Sequence, residues 1–131
     1  MSKRILIVDD EADITIYLET VLKVNGFTPV VVNDVHAAQK IIDKSPPDLI
    51  SLDIMMPKES GLTLYQNLKN NPKTKKIPII IVSGMGQEGK FDFYSFINDK
   101  SMTEPESFME KPIDVDAYIK NINMLISGVK K

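Results

Sequence analysis

The chain has no cysteine, no tryptophan, a single histidine and no long apolar run. Without cysteine, disulfides and thiolate metal sites are excluded, and with His36 alone so is a histidine-based zinc site. The longest apolar stretch, Ile77 to Val82, is far too short to span a bilayer, so no membrane insertion is expected. The opening "MSKRILIVDD" runs straight into a strand-like segment, without the apolar core and cleavage site of a signal peptide. A cytoplasmic location is therefore expected. An excess of one charge is also missing. There are 16 basic and 18 acidic residues, a net charge of −2, which gives no reason to expect direct nucleic-acid contact or an anionic membrane partner.

What is present suits one globular domain. The 131 residues are 43% hydrophobic, enough to bury a continuous core, and no internal repeat divides them. A single domain over residues 1–131 is expected. The chain ends at "SGVKK" after its last helix-like segment, so no effector domain is expected.

Strand-like and helix-like patterns alternate. Ile5 to Val8 is an unbroken apolar run, as in a strand covered on both faces. Ile14, Tyr17, Leu18, Val21 and Leu22 then follow helical spacing, stopped by Asn25-Gly26. Pro29 to Val32 reads as a second strand. Asp34 is placed to cap a second helix with Ala37, Ala38, Ile41 and Ile42 inward. "LISLD" is a third strand, ending at Asp53. After the loop "MMPKESG", Ser60 is a candidate cap for a helix carrying Leu64, Tyr65 and Leu68, stopped by Asn70-Asn71-Pro72. "KNNPKTKK" reads as a solvated, lysine-rich loop. "IPIIIVS" is a fourth strand, ending at Ser83, and "SFMEK" a short fifth, ending near Lys111. Asp114 caps a last helix with Val115, Tyr118, Ile119, Ile122, Leu125 and Ile126 inward, ended by Gly128. This alternation predicts an α/β fold: five parallel strands in the order 2-1-3-4-5, doubly wound and flanked by five helices.

In such sheets ligands bind beyond the carboxyl ends of the strands, where the strand order reverses. Asp9-Asp10, Asp53, Ser83 and Lys111 stand at the ends of strands 1, 3, 4 and 5. Taken singly, an acidic residue after a strand is often a helix cap, and a strand-end lysine is usually a solvated surface residue. Five such residues at one edge favour chemistry. Three carboxylates need a counter-charge, and an all-oxygen donor set suits Mg²⁺. Asp53, alone at the end of a central strand, is the better nucleophile for a phosphoryl group, and Asp9 and Asp10 are better placed to hold the metal. Ser83 and Lys111 can meet charge developing on the phosphoryl oxygens.

The segments "ILIVDDE", "DLISLDIMMPKESGLTL", "IPIIIVSG" and "FMEKPID" resemble the receiver domain of two-component response regulators, the chemotaxis-regulator-like fold. The resemblance covers most of the chain. It implies that Asp53 is the phosphoacceptor and that Asp9, Asp10, Asp53 and the backbone carbonyl of Met55 hold Mg²⁺. It implies that Ser83 is the switch hydroxyl, Phe108 the switch aromatic and Lys111 the phosphate-contacting lysine, with a cis Lys111-Pro112 bond. The donor would be a sensor histidine kinase or a histidine phosphotransfer protein, and the output a protein-interaction surface for a downstream protein target. The stretch between Ser83 and Lys111 is longer than the family's pattern and lacks its usual "GA-D-D-Y"-like turn.

Further expectations concern individual residues. Phe93, Phe96 and Ile97 fit one helix face, with Phe91 and Tyr94 as candidates for an exposed partner contact. Met55 and Met85 lack a polar group to orient an attacking water, which implies slow hydrolysis of a phosphoaspartate. His36, beside small alanines, reads as a surface helix residue. The competing readings are a receiver-like interaction module that is never phosphorylated and an aspartate-nucleophile phosphohydrolase. Met55 stands where the latter would want an acid to protonate its leaving group. A flavin carrier is weaker, because no Ser/Thr-rich phosphate loop follows strand 1. Only the chemistry of the phosphoacceptor itself, not turnover of an external substrate, is expected of the favoured reading.

Overall fold

The structure, a computed structural model, describes residues 2–54, 61–84, 93–98 and 104–127. Five parallel strands form one sheet: β1 (Arg4–Val8), β2 (Thr28–Val32), β3 (Leu49–Asp53), β4 (Ile79–Ser83) and β5 (Ser107–Glu110). Their order is β2-β1-β3-β4-β5, as expected from the alternating pattern. The helices are α1 (Ala12–Val24), α2 (Val35–Lys44), α3 (Gly61–Asn70), α4 (residues 93–98) and α5 (Val115–Ile126).

Strand alternation divides the core in two. Leu6, Val8, Ile50, Leu52, Ile79 and Ile81 face one way and pack with α2, α3 and α4 through Ala38, Ile42, Leu64, Leu68, Phe93 and Ile97. Ile5, Ile7, Leu49, Ile80 and Val82 face the other way, against Leu18 and Leu22 of α1 and Tyr118 and Ile122 of α5. Both faces being covered explains why Ile5–Val8 of β1 and Ile79–Val82 of β4 read as unbroken apolar runs. The edge strand β2 tolerates Pro29 because, among the described residues, no strand pairs with its outer side.

The expected caps are in place. Asp34 accepts a hydrogen bond from the Ala37 amide (2.8 Å) and Asp114 from the Ala117 amide (3.2 Å). Gly26, at φ 86°, turns the chain out of α1. The Lys111-Pro112 bond is cis, as the resemblance implied. Ser60 and Gly128 lie outside the described residues.

Two expectations are corrected. Tyr17 was expected inward, but it is 56% exposed, and Thr15 is buried instead. Its hydroxyl donates to the Ala12 carbonyl (2.9 Å), so its polar atom is satisfied inside the fold. The lysine-rich loop is solvated at Lys73, Lys75 and Lys76 but not at Lys69, which belongs to α3. The Lys69 side chain is 5% exposed and pairs with Glu106 at 3.2 Å, and Glu106 also accepts from the Ile79 amide (2.8 Å).

Candidate phosphoryl site at the carboxyl edge of the sheet

The five expected strand-end residues fall at one edge, around the gap between β1 and β3. β1 continues into Asp9, whose amide still donates to the Val32 carbonyl (3.2 Å) before the chain turns into α1. That last ladder bond keeps Asp9 buried, at 3% exposure, while Asp10 is exposed. Asp53 is the last residue of β3 and is 1% exposed. Ser83 ends β4, is buried, and lies one position past Val82, the register partner of Asp53. Lys111 follows β5, and its amide is tied to the Ser83 carbonyl (2.8 Å).

The carboxylates converge. Ligand oxygens of Asp9, Asp10 and Asp53 all lie within 4.8 Å of one another. At that separation each ionised pair repels by about 3 kcal/mol at an effective dielectric near 20. The Lys111 ammonium sits among them, 3.1 Å from Asp9 Oδ2 and 3.2 Å from Asp53 Oδ2. It also pairs with Glu11 Oε1. Among the described residues, one cation against three buried or clustered carboxylates and Glu11 leaves the site short of positive charge.

The titration of Asp9 reflects its burial first and its charged neighbours second. Its carboxyl is raised from 3.8 to about 6, with burial the leading cause. The Glu11 amide, donating at 2.9 Å, pulls the other way, the Asp53 carboxylate raises it further, and Lys111 partly offsets both. For Lys111, burial alone would lower the ammonium. The hydrogen bond to Glu11 and the charges of Asp53 and Asp9 outweigh it and hold Lys111 above its ordinary value. A donor set of hard oxygens with unmet negative charge fits a hard divalent cation and does not fit a soft one.

Gly61 presses α3 against this edge. A Cβ built there would stand 2.6 Å from the Asp53 carbonyl oxygen and 2.9 Å from Ile54 Cα, both backbone atoms. Only glycine lets the helix approach the strand that carries Asp53. Phe108, three residues before Lys111, lies opposite Ile81 on the α4 side of the sheet, the face that Ser83 shares by alternation. Its ring is stacked on Tyr94 (centroids 6.0 Å) and tilted against Phe93 (5.7 Å), which meets Tyr65 edge-on (5.3 Å).

Other expected residues divide. Phe93 and Ile97 are buried, Phe96 is half-buried, and Tyr94 is half-buried against Phe108. Phe91, Met55 and Met85 lie outside the described residues. His36 is exposed in the first turn of α2. Sequence reasoning assigned no role to Glu11. The available signal was a third acid directly after Asp9-Asp10, at a helix N-cap where Glu is a poor choice.

A family model described as the response regulator receiver domain matches residues 5–123. This chain belongs to the response regulator receiver family. The receiver is 33% identical over 129 residues to the chemotaxis protein CheY of Bacillus subtilis, covering 97% of this chain and 100% of that one. It is 40% identical over 88 residues to the phosphate regulon transcriptional regulatory protein PhoB of Escherichia coli, covering 67% of this chain. That match spans 38% of PhoB, well under half of the relative's length. Among solved structures, the receiver superimposes on the signal receiver domain of a signal transduction histidine kinase from Syntrophus aciditrophicus. The TM-score is 0.85 at 25% identity, over 99% of this chain and 94% of that one. A sensor protein from Polaromonas sp. JS666 gives 0.84 at 27% identity, over 96% of this chain and 97% of that one. Among the described residues of the receiver, no helix is long and apolar enough to cross a membrane.

Proposed function

We propose that this receiver accepts a phosphoryl group on Asp53 and thereby switches a protein-interaction surface. One observation carries the reading. Asp9, Asp10 and Asp53 converge within 4.8 Å, and the Lys111 ammonium bridges Asp9 and Asp53. Such negative charge at the rim of a buried sheet is tolerable with a cation and useful for phosphate chemistry.

Asp9, Asp10 and Asp53 would hold Mg²⁺, with the Met55 carbonyl as a further ligand. When bound, Mg²⁺ supplies charge neutralisation for the phosphoryl oxygens. An Asp53 carboxylate oxygen attacks the phosphorus of the donor and forms a P–O bond. The donor's P–N bond breaks, and its electron pair stays on the imidazole nitrogen. Lys111 orients Asp53 beforehand and then meets charge on the equatorial oxygens, and the Ser83 hydroxyl donates to one of them. Phe108 and its stacked neighbour Tyr94 share the sheet face of Ser83, so a shift of Ser83 reaches the α4–β5 surface through them.

The donor would be a sensor histidine kinase or a histidine phosphotransfer protein, and the readout a downstream protein target rather than nucleic acid. In this reading the chemistry is confined to the gain and loss of a phosphoryl group on Asp53. Intact-mass measurement after incubation with acetyl phosphate and Mg²⁺ tests the reading. One phosphoryl group should appear on the native chain and none on Asp53→Asn. Equal labelling of both, or of neither, overturns it.

A further inference from the structure

The Lys111 ammonium has three protons to donate, and three carboxylates surround it: Asp9 at 3.1 Å, Asp53 at 3.2 Å, and Glu11. Its hydrogen-bonding capacity is full before any phosphoryl group arrives. To meet a phosphoryl oxygen, it must release one partner. Asp9 is buried and would be left as a poorly solvated charge, and Asp53 is the attacking carboxylate, which Lys111 orients until the P–O bond forms. The Glu11 side chain is 54% exposed, so water can take over from the ammonium at little cost.

Glu11 has given up its local role for this contact. It occupies the N-cap of α1, yet its side chain makes no capping hydrogen bond. Asp34 and Asp114, at the N-caps of α2 and α5, both cap. A residue that breaks a local rule that its counterparts obey points to a requirement elsewhere in the fold.

We propose that Glu11 is a positioning residue that holds Lys111 in the resting site and is exchanged for a phosphoryl oxygen, so that it restrains phosphorylation of Asp53. The inference rests on the phosphoacceptor reading above. The exchange sets a small barrier, that of breaking a half-exposed ion pair, and removing the Glu11 charge removes it.

The test compares rates of labelling by acetyl phosphate with Mg²⁺, followed by intact mass, in four chains: native, Glu11→Gln, Lys111→Met and the double variant. Glu11→Gln should label about two- to fivefold faster when Lys111 is present, and no faster than its parent when Lys111 is replaced. Equal rates for native and Glu11→Gln overturn the proposal. So does the same acceleration in both backgrounds, which would mark simple repulsion of the anionic donor by Glu11. Carbon NMR of the Glu11 carboxyl is the second measurement. Its resonance should move on phosphorylation as the ammonium leaves, and an unmoved resonance overturns the proposal even if Lys111→Met labels too slowly to compare. A native chain that takes no phosphoryl group at Asp53 removes the functional reading and this inference together. A labelled native chain with an unaffected Glu11→Gln rejects the inference alone.

Discussion

The two edges of the sheet both carry charge and use it in opposite ways. At the amino edge, Arg4 Nη1 donates to the Ser45 carbonyl (2.9 Å), the Ser45 hydroxyl (2.8 Å) and the Pro46 carbonyl (3.2 Å). The Arg4 amide donates to Asp48 Oδ2 (2.8 Å), joining the start of β1 to the residue before β3. These contacts are exposed, and each charge has neutral or opposite partners. At the carboxyl edge Asp9 and Asp53 are 3% and 1% exposed, with like-charged neighbours and one shared cation. The amino edge ties chain segments together where water can help. The carboxyl edge holds charge against the interest of folding, which is what the proposed phosphoryl site requires.

That contrast predicts effects of different size and sign. The largest belongs to Gly61. Alanine there would drive a methyl group into the Asp53 carbonyl at 2.6 Å, and neither backbone neighbour can rotate away. Gly61→Ala should cost about 3 kcal/mol in chemical denaturation and slow labelling of Asp53, because the helix must retreat from the strand end. A loss below about 1 kcal/mol would show slack at this edge and weaken the picture of a site pressed into place.

Next in size is Asp9, with the opposite sign. Its carboxyl titrates at about 6 in the fold against an ordinary 3.8, with burial the leading cause. The folded chain thus holds that proton more tightly than the unfolded one. The stability Asp9 contributes is fully present below about pH 3.8 and is lost as the pH rises through about 6. In chelator at pH 7 the ionised side chain is a burden, and Asp9→Asn should raise stability by an amount on the order of 2 kcal/mol. It should also flatten the fall in stability between about pH 3.8 and 6. Mg²⁺ requires the ionised form, so it should raise the melting temperature of the native chain at pH 7.5, do so much less at pH 5, and do little for Asp9→Asn. Destabilisation by Asp9→Asn in chelator would make the two edges alike and break the comparison.

Most of this edge was legible in the sequence because a parallel strand ends abruptly. Runs such as "ILIVDD" and "IPIIIVS" go from apolar to polar in one residue, and the topology then brings those residues together. Partners far apart in the chain left no such trace. Glu11 and Lys111 are 100 residues apart, and Lys69 and Glu106 are 37 apart. Periodicity registers which face a residue takes, not which residue it meets. That is how Lys69 passed as one of several loop lysines. Tyr17 and Thr15 were exchanged for a different reason. α1 carries apolar residues on more than one side, with Ile16 and Val24 also exposed, so its inward stripe is ambiguous until the sheet is placed. A threonine that satisfies its own hydroxyl can then occupy the inner face.

The smallest effect belongs to the amino edge and completes the contrast. Asp48 accepts from the Arg4 amide, and its own amide donates to the Arg4 carbonyl (2.9 Å). Asp48→Ala removes only the first of these, at an exposed position where water can take the place of the carboxylate. Stability should fall by about 1 kcal/mol or less, opposite in sign to Asp9→Asn. The change should be the same with chelator and with Mg²⁺, because Asp48 belongs to the far edge of the sheet. Paired melts of Asp48→Ala and Asp9→Asn under both conditions decide the matter. A Mg²⁺-dependent penalty for Asp48→Ala would mean that the amino edge feels the site after all, through β1 and β3, the two strands that run between them.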